Sequence, residues 1–202
     1  MKFYILFLFT IFLHQFSFAQ EENKTTILFN DGTSIEGIGE IKRNTIYFKV
    51  APEDTYTEWD YTSAKGIIFS GYGYSEKYEY AKTDKNSNPV IMEVVDEGFV
   101  TLYRKNKMVF RVSTDYNHSP YNSVGPFAGN NFISKDMSTT YYVQRKEESF
   151  ATNITSGFKA KSLKYFSDCK ALTEKIYDRT FTVDKIKAMV DYYNNYCYEE
   201  EN

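Results

Sequence analysis

The stretch VIMEVVDEGFVTLYRKNKMVFRV, residues 90–112, decides the fold. Its apolar residues recur at every second position near both ends, which is the period of a half-buried β-strand. The alternating residues are Val90, Met92 and Val94, then Met108, Phe110 and Val112. Asp96-Glu97-Gly98 supplies turn residues before the strand-like Phe99–Arg104. The polar Lys105-Asn106-Lys107 predicts a second turn. The stretch therefore predicts a three-stranded antiparallel meander.

The same alternation and similar turns occur on both sides of this stretch. Asn30-Asp31-Gly32 lies between two β-prone runs, which is typical of a hairpin. Residues 45–50 alternate apolar and polar side chains, and Tyr141–Arg145 and Phe150–Ile154 are strand-like. We therefore predict an antiparallel β domain over residues 20–155, built as a sandwich or an open barrel.

The apolar period changes to three or four residues from Phe158 onward, as in an amphipathic helix. The first stripe comprises Leu163, Phe166, Cys169, Leu172 and Ile176, and the second comprises Val183, Ile186, Met189, Val190, Tyr193 and Cys197. Ser167-Asp168 can cap a new helix within the first stripe, so this part is either one helix or two. Residues 156–202 are thus predicted to form a helical hairpin packed on or appended to the β domain. The fold class is α+β.

Cys169 and Cys197 are the only cysteines and are predicted to form a disulfide, because we expect the chain to be exported. An unbroken helix over residues 158–177 would leave Cys197 beyond Cys169, and a break at Ser167-Asp168 would ease the pairing. The chain has no Cys-x-x-Cys motif, and two distant cysteines are too few to hold a metal. We therefore predict no metal site.

Residues 1–19 have the pattern of a secretory signal peptide. Lys2 precedes the apolar run Phe3–Leu13, and small residues precede the expected cleavage after Ala19. The apolar run is too short to span a bilayer as a helix, and no later stretch is long and apolar enough. The first mature residue would be Gln20 and not a cysteine, so we expect no lipid anchor. The predicted location is the periplasm or the exterior.

The composition disfavours a nucleic-acid partner and several kinds of catalytic site. The chain carries a formal net charge of −3, which disfavours a nucleic-acid partner because such partners usually require a basic face. His118 is the only histidine beyond the predicted signal peptide, and no Gly-x-Ser-x-Gly motif is present. We therefore assign no catalytic residue and no cofactor. Glu58 and Asp60 would share one strand face, as a glycosidase pair could, but such acids are usually solvated.

Aromatic residues make up 18% of the chain, which is high enough to consider a binding surface. Trp59, Tyr61, Tyr72 and Tyr74 are close together in sequence and are the candidate ligand-binding residues. Exposed aromatic rings can stack on sugars. The alternative is that these rings pack the sheet, with the tyrosine hydroxyls at its wet edge.

The chain contains several short motifs, Phe18-Ala19-Gln20, Asp31-Gly32, Ile35-Glu36-Gly37, Glu97-Gly98, Val100–Arg104, Tyr141-Tyr142-Val143, Phe166–Cys169 and Tyr193–Cys197. In these motifs it resembles a loose set of uncharacterised exported proteins of Bacteroidota with a C-terminal two-cysteine helical tail. The resemblance implies a β-rich exported module and supplies no activity, substrate or catalytic residue.

These observations favour a non-enzymatic protein of the cell envelope or exterior that binds another macromolecule, either a protein or a glycan. The long stretch Asp115–Met137, rich in Asn, Ser, Gly and Pro, is the first candidate contact surface. A glycan-binding module using Trp59 and the nearby tyrosines is the alternative, and a hydrolase using Glu58 or Asp60 is a weaker one.

The signal-peptide assignment predicts the mass of the exported product. When the full chain is expressed in a bacterium, the product outside the cytoplasm should begin at Gln20, because Ser17 and Ala19 suit the small-residue pockets of signal peptidase. Intact-mass spectrometry of the secreted or periplasmic fraction measures this. A product that retains residues 1–19 would contradict the assignment.

Overall fold

The computed structural model describes residues 24–71, 73–114 and 131–197. The predicted signal peptide, Tyr72, His118 and residues 115–130 of the predicted loop lie outside the described residues. Within these ranges the chain forms ten strands followed by three α-helices.

All the strand pairings are antiparallel and join the ten strands into one open sheet. The strands are β1 (Lys24–Phe29), β2 (Ser34–Lys42), β3 (Thr45–Lys49), β4 (Thr57–Trp59), β5 (Ala64–Gly71), β6 (Tyr74–Ala81), β7 (Val90–Asp96), β8 (Val100–Thr114), β9 (Asn131–Arg145) and β10 (Thr152–Asn153). Their order in the sheet is β10-β9-β8-β7-β6-β5-β1-β2-β3-β4. The first strand along the chain thus lies inside the sheet.

The predicted turn at Lys105-Asn106-Lys107 is wrong, because β8 runs through it as one strand of 15 residues. These three residues pair with Thr140, Thr139 and Ser138 of β9, and the Thr139 hydroxyl donates to Asn106 Oδ1 at 2.9 Å. A partner rich in hydroxyl and β-branched residues stabilises a polar strand segment without a turn. Residues 90–112 therefore form two strands, β7 and the first part of β8, and not three.

The predicted loop 115–137 is also too long. Strand β9 begins at Asn131, ten residues before the predicted strand at Tyr141, and it pairs with β8 as far as Asn131 with Thr114. Residues 131–137, assigned to the loop because they lack clear alternation, are therefore part of a strand. Their pairing with β8, which a local pattern does not report, fixes their conformation.

The sheet curls so that β3 covers its middle strands. Ile46 of β3 packs in one cluster with Ile67 of β5 and Ile91 of β7, although four strands separate β3 from β7 in the sheet order. Gly39 of β2 permits this approach, since a Cβ at this position would lie 2.7 Å from Ile67 Cδ1. This cluster under β3 is the first apolar core, and its buried members are Ile27, Ile46, Phe48, Ala64, Ile67 and Ile91.

The C-terminal part folds as α1 (Phe158–Tyr165), α2 (Lys170–Tyr177), a 3-10 turn (Val183–Lys185) and α3 (Ile186–Tyr196). Of the two arrangements left open for the first stripe, the chain adopts two helices with a break at Ser167-Asp168, so the tail has three helices. They pack on β8 and β9 to form a second apolar cluster. Its buried members are Val100, Leu102, Val143, Ile154, Phe166, Cys169, Leu172, Ile176, Ile186, Met189, Val190 and Tyr193. The α+β class with an antiparallel sheet and C-terminal helices is confirmed.

Asn194 of α3 fixes the turn between β7 and β8. Its Nδ2 donates to the Val100 carbonyl and its Oδ1 accepts from the Val100 N–H, both at 2.9 Å. A Cβ on Gly98 would lie 2.5 Å from Asn194 Nδ2, so a glycine is required for the helix to come this close. The two short motifs Glu97-Gly98 and Tyr193–Cys197 therefore meet in space.

Arg145 at the end of β9 holds the helices from the other side. Its Nη2 donates to the Asp168 carboxylate at 3.0 Å, to the Tyr193 hydroxyl at 3.1 Å and to the Tyr165 carbonyl at 3.0 Å. The guanidinium also lies 4.7 Å from the Tyr165 ring centre, a cation–π distance. One side chain thus joins the sheet to α1, α3 and the segment between α1 and α2.

The predicted disulfide between Cys169 and Cys197 is confirmed, with a Cα–Cα distance of 5.6 Å. Cys169 lies in the break before α2, and Cys197 directly follows α3. The bond therefore ties the end of α3 to the start of α2. In the described ranges, no helix has the length and apolar character needed to cross a membrane.

Reduction of the disulfide should destabilise the fold. The bond joins cysteines 28 residues apart, and closing a loop of that length restricts the unfolded chain by about 3–4 kcal/mol. Urea unfolding with and without reductant should show a loss of about this size. The double variant Cys169→Ser with Cys197→Ser should match the reduced protein and be insensitive to reductant. Equal unfolding midpoints for oxidised and reduced protein would contradict the prediction.

Candidate ligand-binding groove

The candidate site lies on the concave face of the sheet, between the two apolar clusters. Along β7, Ile91 belongs to the cluster under β3 and Val95 packs against the helix cluster. Glu93 lies between them at the alternate position, so it faces the same side. On β8, Leu102 belongs to the helix cluster and Arg104 is the next residue on that face. A polar band therefore separates the two cores.

The groove forms where β8 departs from β7. Their pairing covers only three residue pairs, of which Glu93 with Arg104 is the last. From Lys105 to Thr114, β9 is the only strand paired with β8 among the described residues. The resulting opening has a volume of about 950 Å³ and is bordered by β2, β5, β6, β7 and β8. This volume is typical of a ligand-binding cleft.

Asn44, in the turn between β2 and β3, occupies the edge of β7 that β8 leaves. Its Oδ1 accepts from the Ile91 N–H at 2.9 Å, and its Nδ2 donates to the Pro89 carbonyl at 3.0 Å. Its own carbonyl accepts from the Tyr80 hydroxyl at 2.9 Å. One amide side chain therefore satisfies two backbone groups that a neighbouring strand would otherwise pair. The β2–β3 turn is thereby fixed at one wall of the groove.

An ion pair forms the floor of the groove. Arg104 Nε donates to Glu93 Oε2 at 2.8 Å, and its Nη2 pairs with Glu93 Oε1. This contact with Glu93 raises the pKa of the Arg104 guanidinium, against the opposing effect of burial. The fork geometry uses Nε and one Nη2 hydrogen, so the remaining N–H groups of Arg104 can serve other partners, and one of these is Tyr141.

Aromatic side chains line the wall formed by β5 and β6. The rings of Phe69 and Tyr78 meet edge to face with centroids 5.8 Å apart, and the Tyr78 hydroxyl donates to Glu76 at 3.3 Å. Burial, together with the Glu76 and Glu93 carboxylates, raises the pKa of Tyr78 to about 12. Tyr74 lies at the end of this wall and is 57% exposed. The groove thus offers aromatic surface beside polar groups.

Arg43 also borders the groove and has an unusual backbone. Its φ is 59°, in the left-handed region that favours glycine. The tight turn between β2 and β3 requires a positive φ, and the contacts of Asn44 hold the turn in place. The backbone of Arg43 is therefore fixed beside the groove.

The structure describes three of the four predicted binding residues, Trp59, Tyr61 and Tyr74, and places them apart. Trp59 packs on Phe29, with ring centroids 5.0 Å apart, and lines another cavity of about 290 Å³. Tyr61 packs edge to face on Tyr80 at 6.3 Å. Tyr74 lies six residues from Tyr80 along β6, a distance of about 20 Å. Of the predicted residues that the structure describes, Tyr74 lines the groove, and Trp59 and Tyr61 do not.

The carboxylates Glu58 and Asp60 are exposed near β4. Asp60 accepts hydrogen bonds from the Thr62 hydroxyl at 2.5 Å and the Thr62 N–H at 2.9 Å. These bonds lower the pKa of Asp60, whereas a general acid requires a raised one. Asp60 therefore has the environment of a turn-stabilising residue.

Sequence reasoning missed Glu93, Arg104 and Asn44 as site residues. The sequence does contain a signal for Glu93, which is the only charged residue in the otherwise apolar run Val90–Val95. A charge inside a strand with apolar residues on both faces requires a partner. Asn44 gives no such signal, because its role depends on the curl of the sheet.

In the described part of the chain, no three His, Cys, Asp or Glu side chains are grouped so that they could hold a metal ion. Comparison of the chain with protein-family models, curated proteins and solved structures gives no match in any of the three. The groove is therefore the feature of this chain that points to a function.

The raised pKa of Tyr78 predicts how stability changes at high pH. Tyrosine ionises near pH 10 in an unfolded chain and Tyr78 near 12 in the folded protein. Its contribution is therefore complete below pH 10 and is lost as the pH rises towards 12. Unfolding free energies from urea titrations between pH 9 and 12 should fall less steeply for Tyr78→Phe than for the parent.

A companion variant tests the cause of this shift. Glu76→Gln removes a nearby negative charge, so the ionisation of Tyr78, followed by tyrosinate absorbance, should move to lower pH. Identical pH slopes for the parent and Tyr78→Phe would show that Tyr78 is not placed as described.

Proposed function

We propose that this chain is a non-enzymatic binding protein of the cell envelope or exterior, and that its groove binds a macromolecular ligand. The observation that carries the proposal is the departure of β8 from β7 at Arg104, which opens a cleft on the concave face. An isolated gap would normally be closed by packing, because interiors are densely filled. Here Asn44 satisfies the β7 edge instead, and the cleft stays open.

The chemistry of the groove supports binding. Three of its charged groups are held by partners, since Glu93 pairs with Arg104 and Glu76 accepts from the Tyr78 hydroxyl. Such fixed groups orient a ligand, and aromatic surface such as that of Tyr74 contributes contact area. The disulfide is compatible with an oxidising compartment, which supports the proposed location outside the cytoplasm.

A glycan is the alternative ligand. Exposed aromatic surface at Tyr74 beside the polar side chains of Asn106 and Arg104 suits a sugar ring with its hydroxyl groups. This alternative now concerns the groove and not Trp59, because Trp59 is packed against Phe29.

Thermal unfolding with a ligand panel tests the proposed function. The panel contains neutral oligosaccharides, acidic oligosaccharides and peptide mixtures. A ligand at 100 times its dissociation constant should stabilise the protein by about 2.7 kcal/mol. Tyr74→Ala should weaken binding about tenfold, since the exposed ring provides contact area without supporting the core.

Two variants provide matched controls. Tyr177→Ala removes a tyrosine that is 71% exposed on α2, away from the groove, and should leave binding unchanged. Trp59→Phe tests the site expected from sequence and should also leave it unchanged. Binding that survives Tyr74→Ala but is lost with Trp59→Phe would move the site to the cavity at β4. Absence of stabilisation by every class would contradict the proposal.

A further inference from the structure

We infer that the ligand is an extended polypeptide segment of alternating acidic and apolar residues, which pairs as an added strand with the free edge of β8. This inference rests on the proposed function and names the ligand class. Its starting point is the strand edge at the groove, where β8 has left β7.

The free edge of β8 offers backbone groups in a regular pattern. From Lys105 to Thr114, β8 pairs residue by residue with β9 on one side, and within the described ranges no strand pairs on its other side. In such a strand every second residue directs its N–H and C=O away from the partner, giving about five outward residues here. An extended polypeptide has the complementary spacing of donors and acceptors.

The free edges of this sheet differ in length. β4 and β10 have three and two residues, the short form that limits edge-to-edge association. The unpaired part of β8 is much longer, as is that of β9, which pairs with β10 only at Tyr142 and Val143 among the described residues. The β8 edge differs in that its opening residues, Lys105 and Asn106, border the groove. A long free edge beside a preformed cleft is suited to strand addition.

The side chains near the start of this edge specify the pattern of the ligand. Lys105 and Lys107 share one face, and neither is in an ion pair with any residue that the structure describes. Met108 faces the opposite side and pairs across the strands with Met137, at 46% and 68% exposure. An added strand would thus place acidic side chains beside the lysines and apolar ones beside the methionines.

The same charges disfavour a second copy of this chain as the occupant. Pairing of two β8 edges would bring Lys105 and Lys107 of one copy towards those of the other, and like charges across a strand pair are destabilising. An acidic strand from a different polypeptide would lie beside these lysines without such repulsion. Charge complementarity therefore favours an acidic polypeptide as the occupant of this edge.

A backbone-methylated peptide series tests strand addition directly. The probe is a fluorescent heptapeptide mixture with Glu at alternate positions and randomised apolar residues between them. Two derivatives carry N-methyl groups on one or the other alternate set of amides. Because an added strand bonds to β8 through one set only, one derivative should lose binding by at least about tenfold and the other should retain it.

Variants of the protein test the charge preference. Lys105→Glu with Lys107→Glu should weaken binding of the acidic mixture about tenfold and favour its Lys-containing counterpart. Lys161→Glu changes an exposed lysine on α1 and should have no effect. In the bound state, hydrogen exchange should slow at alternate amides of Lys105–Thr114.

The outcomes separate this inference from the proposed function. Binding of oligosaccharides but not peptides, with loss in Tyr74→Ala, would overturn the inference and leave the proposed function standing. Equal binding of both methylated derivatives, or uniform protection along β8, would overturn strand addition. Failure of every ligand class would overturn both.

Discussion

The unequal pairing of β8 determines most of the structure. This strand has 15 residues, pairs with β9 along its whole length and pairs with β7 through only three residues. Its first residues, Val100 and Leu102, form the sheet side of the helix cluster. Arg104 marks the departure from β7, and the remainder of β8 forms a two-stranded arm with β9. Successive parts of β8 therefore contribute to the helix cluster, to the groove and to the arm.

The departure of β8 leaves polar backbone groups on β7 that must be satisfied, because an unpaired buried N–H or C=O is costly. Asn44 satisfies the Ile91 N–H of β7 and the Pro89 carbonyl just before β7, and this requires the β2–β3 turn to reach across the curled sheet. At the floor of the groove, Glu93 and Arg104 satisfy each other's charge and hydrogen bonds. Burial of such a pair contributes little net stability compared with apolar packing. The Glu93–Arg104 pair lies between the two apolar clusters and separates them, and the groove lies at this position.

Local patterns predicted the elements and failed to predict their extent. Alternation in Val90–Val94 and the helical period from Phe158 identified a strand and a helical tail correctly, since burial of one face is recorded in the sequence itself. The predicted turn at Lys105-Asn106-Lys107 failed because pairing with β9 overrides a polar composition. The predicted disulfide needed only two cysteines and the break at Ser167-Asp168.

The aromatic cluster shows why proximity in sequence does not define a site. Trp59 and Tyr74 are 15 positions apart in the chain, but the β5–β6 hairpin carries Tyr74 to its far end and leaves Trp59 against Phe29. The groove instead joins β2, β6, β7 and β8, whose contacts depend on the curl of the sheet. No local pattern encodes that curl, because it arises from packing between strands distant in the chain.

The contact between Asn194 and Val100 spans 94 positions, and the helix cluster includes residues close to the end of the described chain. During synthesis the N-terminal strands therefore emerge long before the side chains that complete this core. Such non-local topology slows folding, because chain entropy is lost before the contacts that compensate for it can form. The sheet cannot bury the face of Val100 and Leu102 until α3 has been made. Completion of the helix cluster therefore waits for α3, whereas the buried members of the cluster under β3 all precede Met92 in the chain.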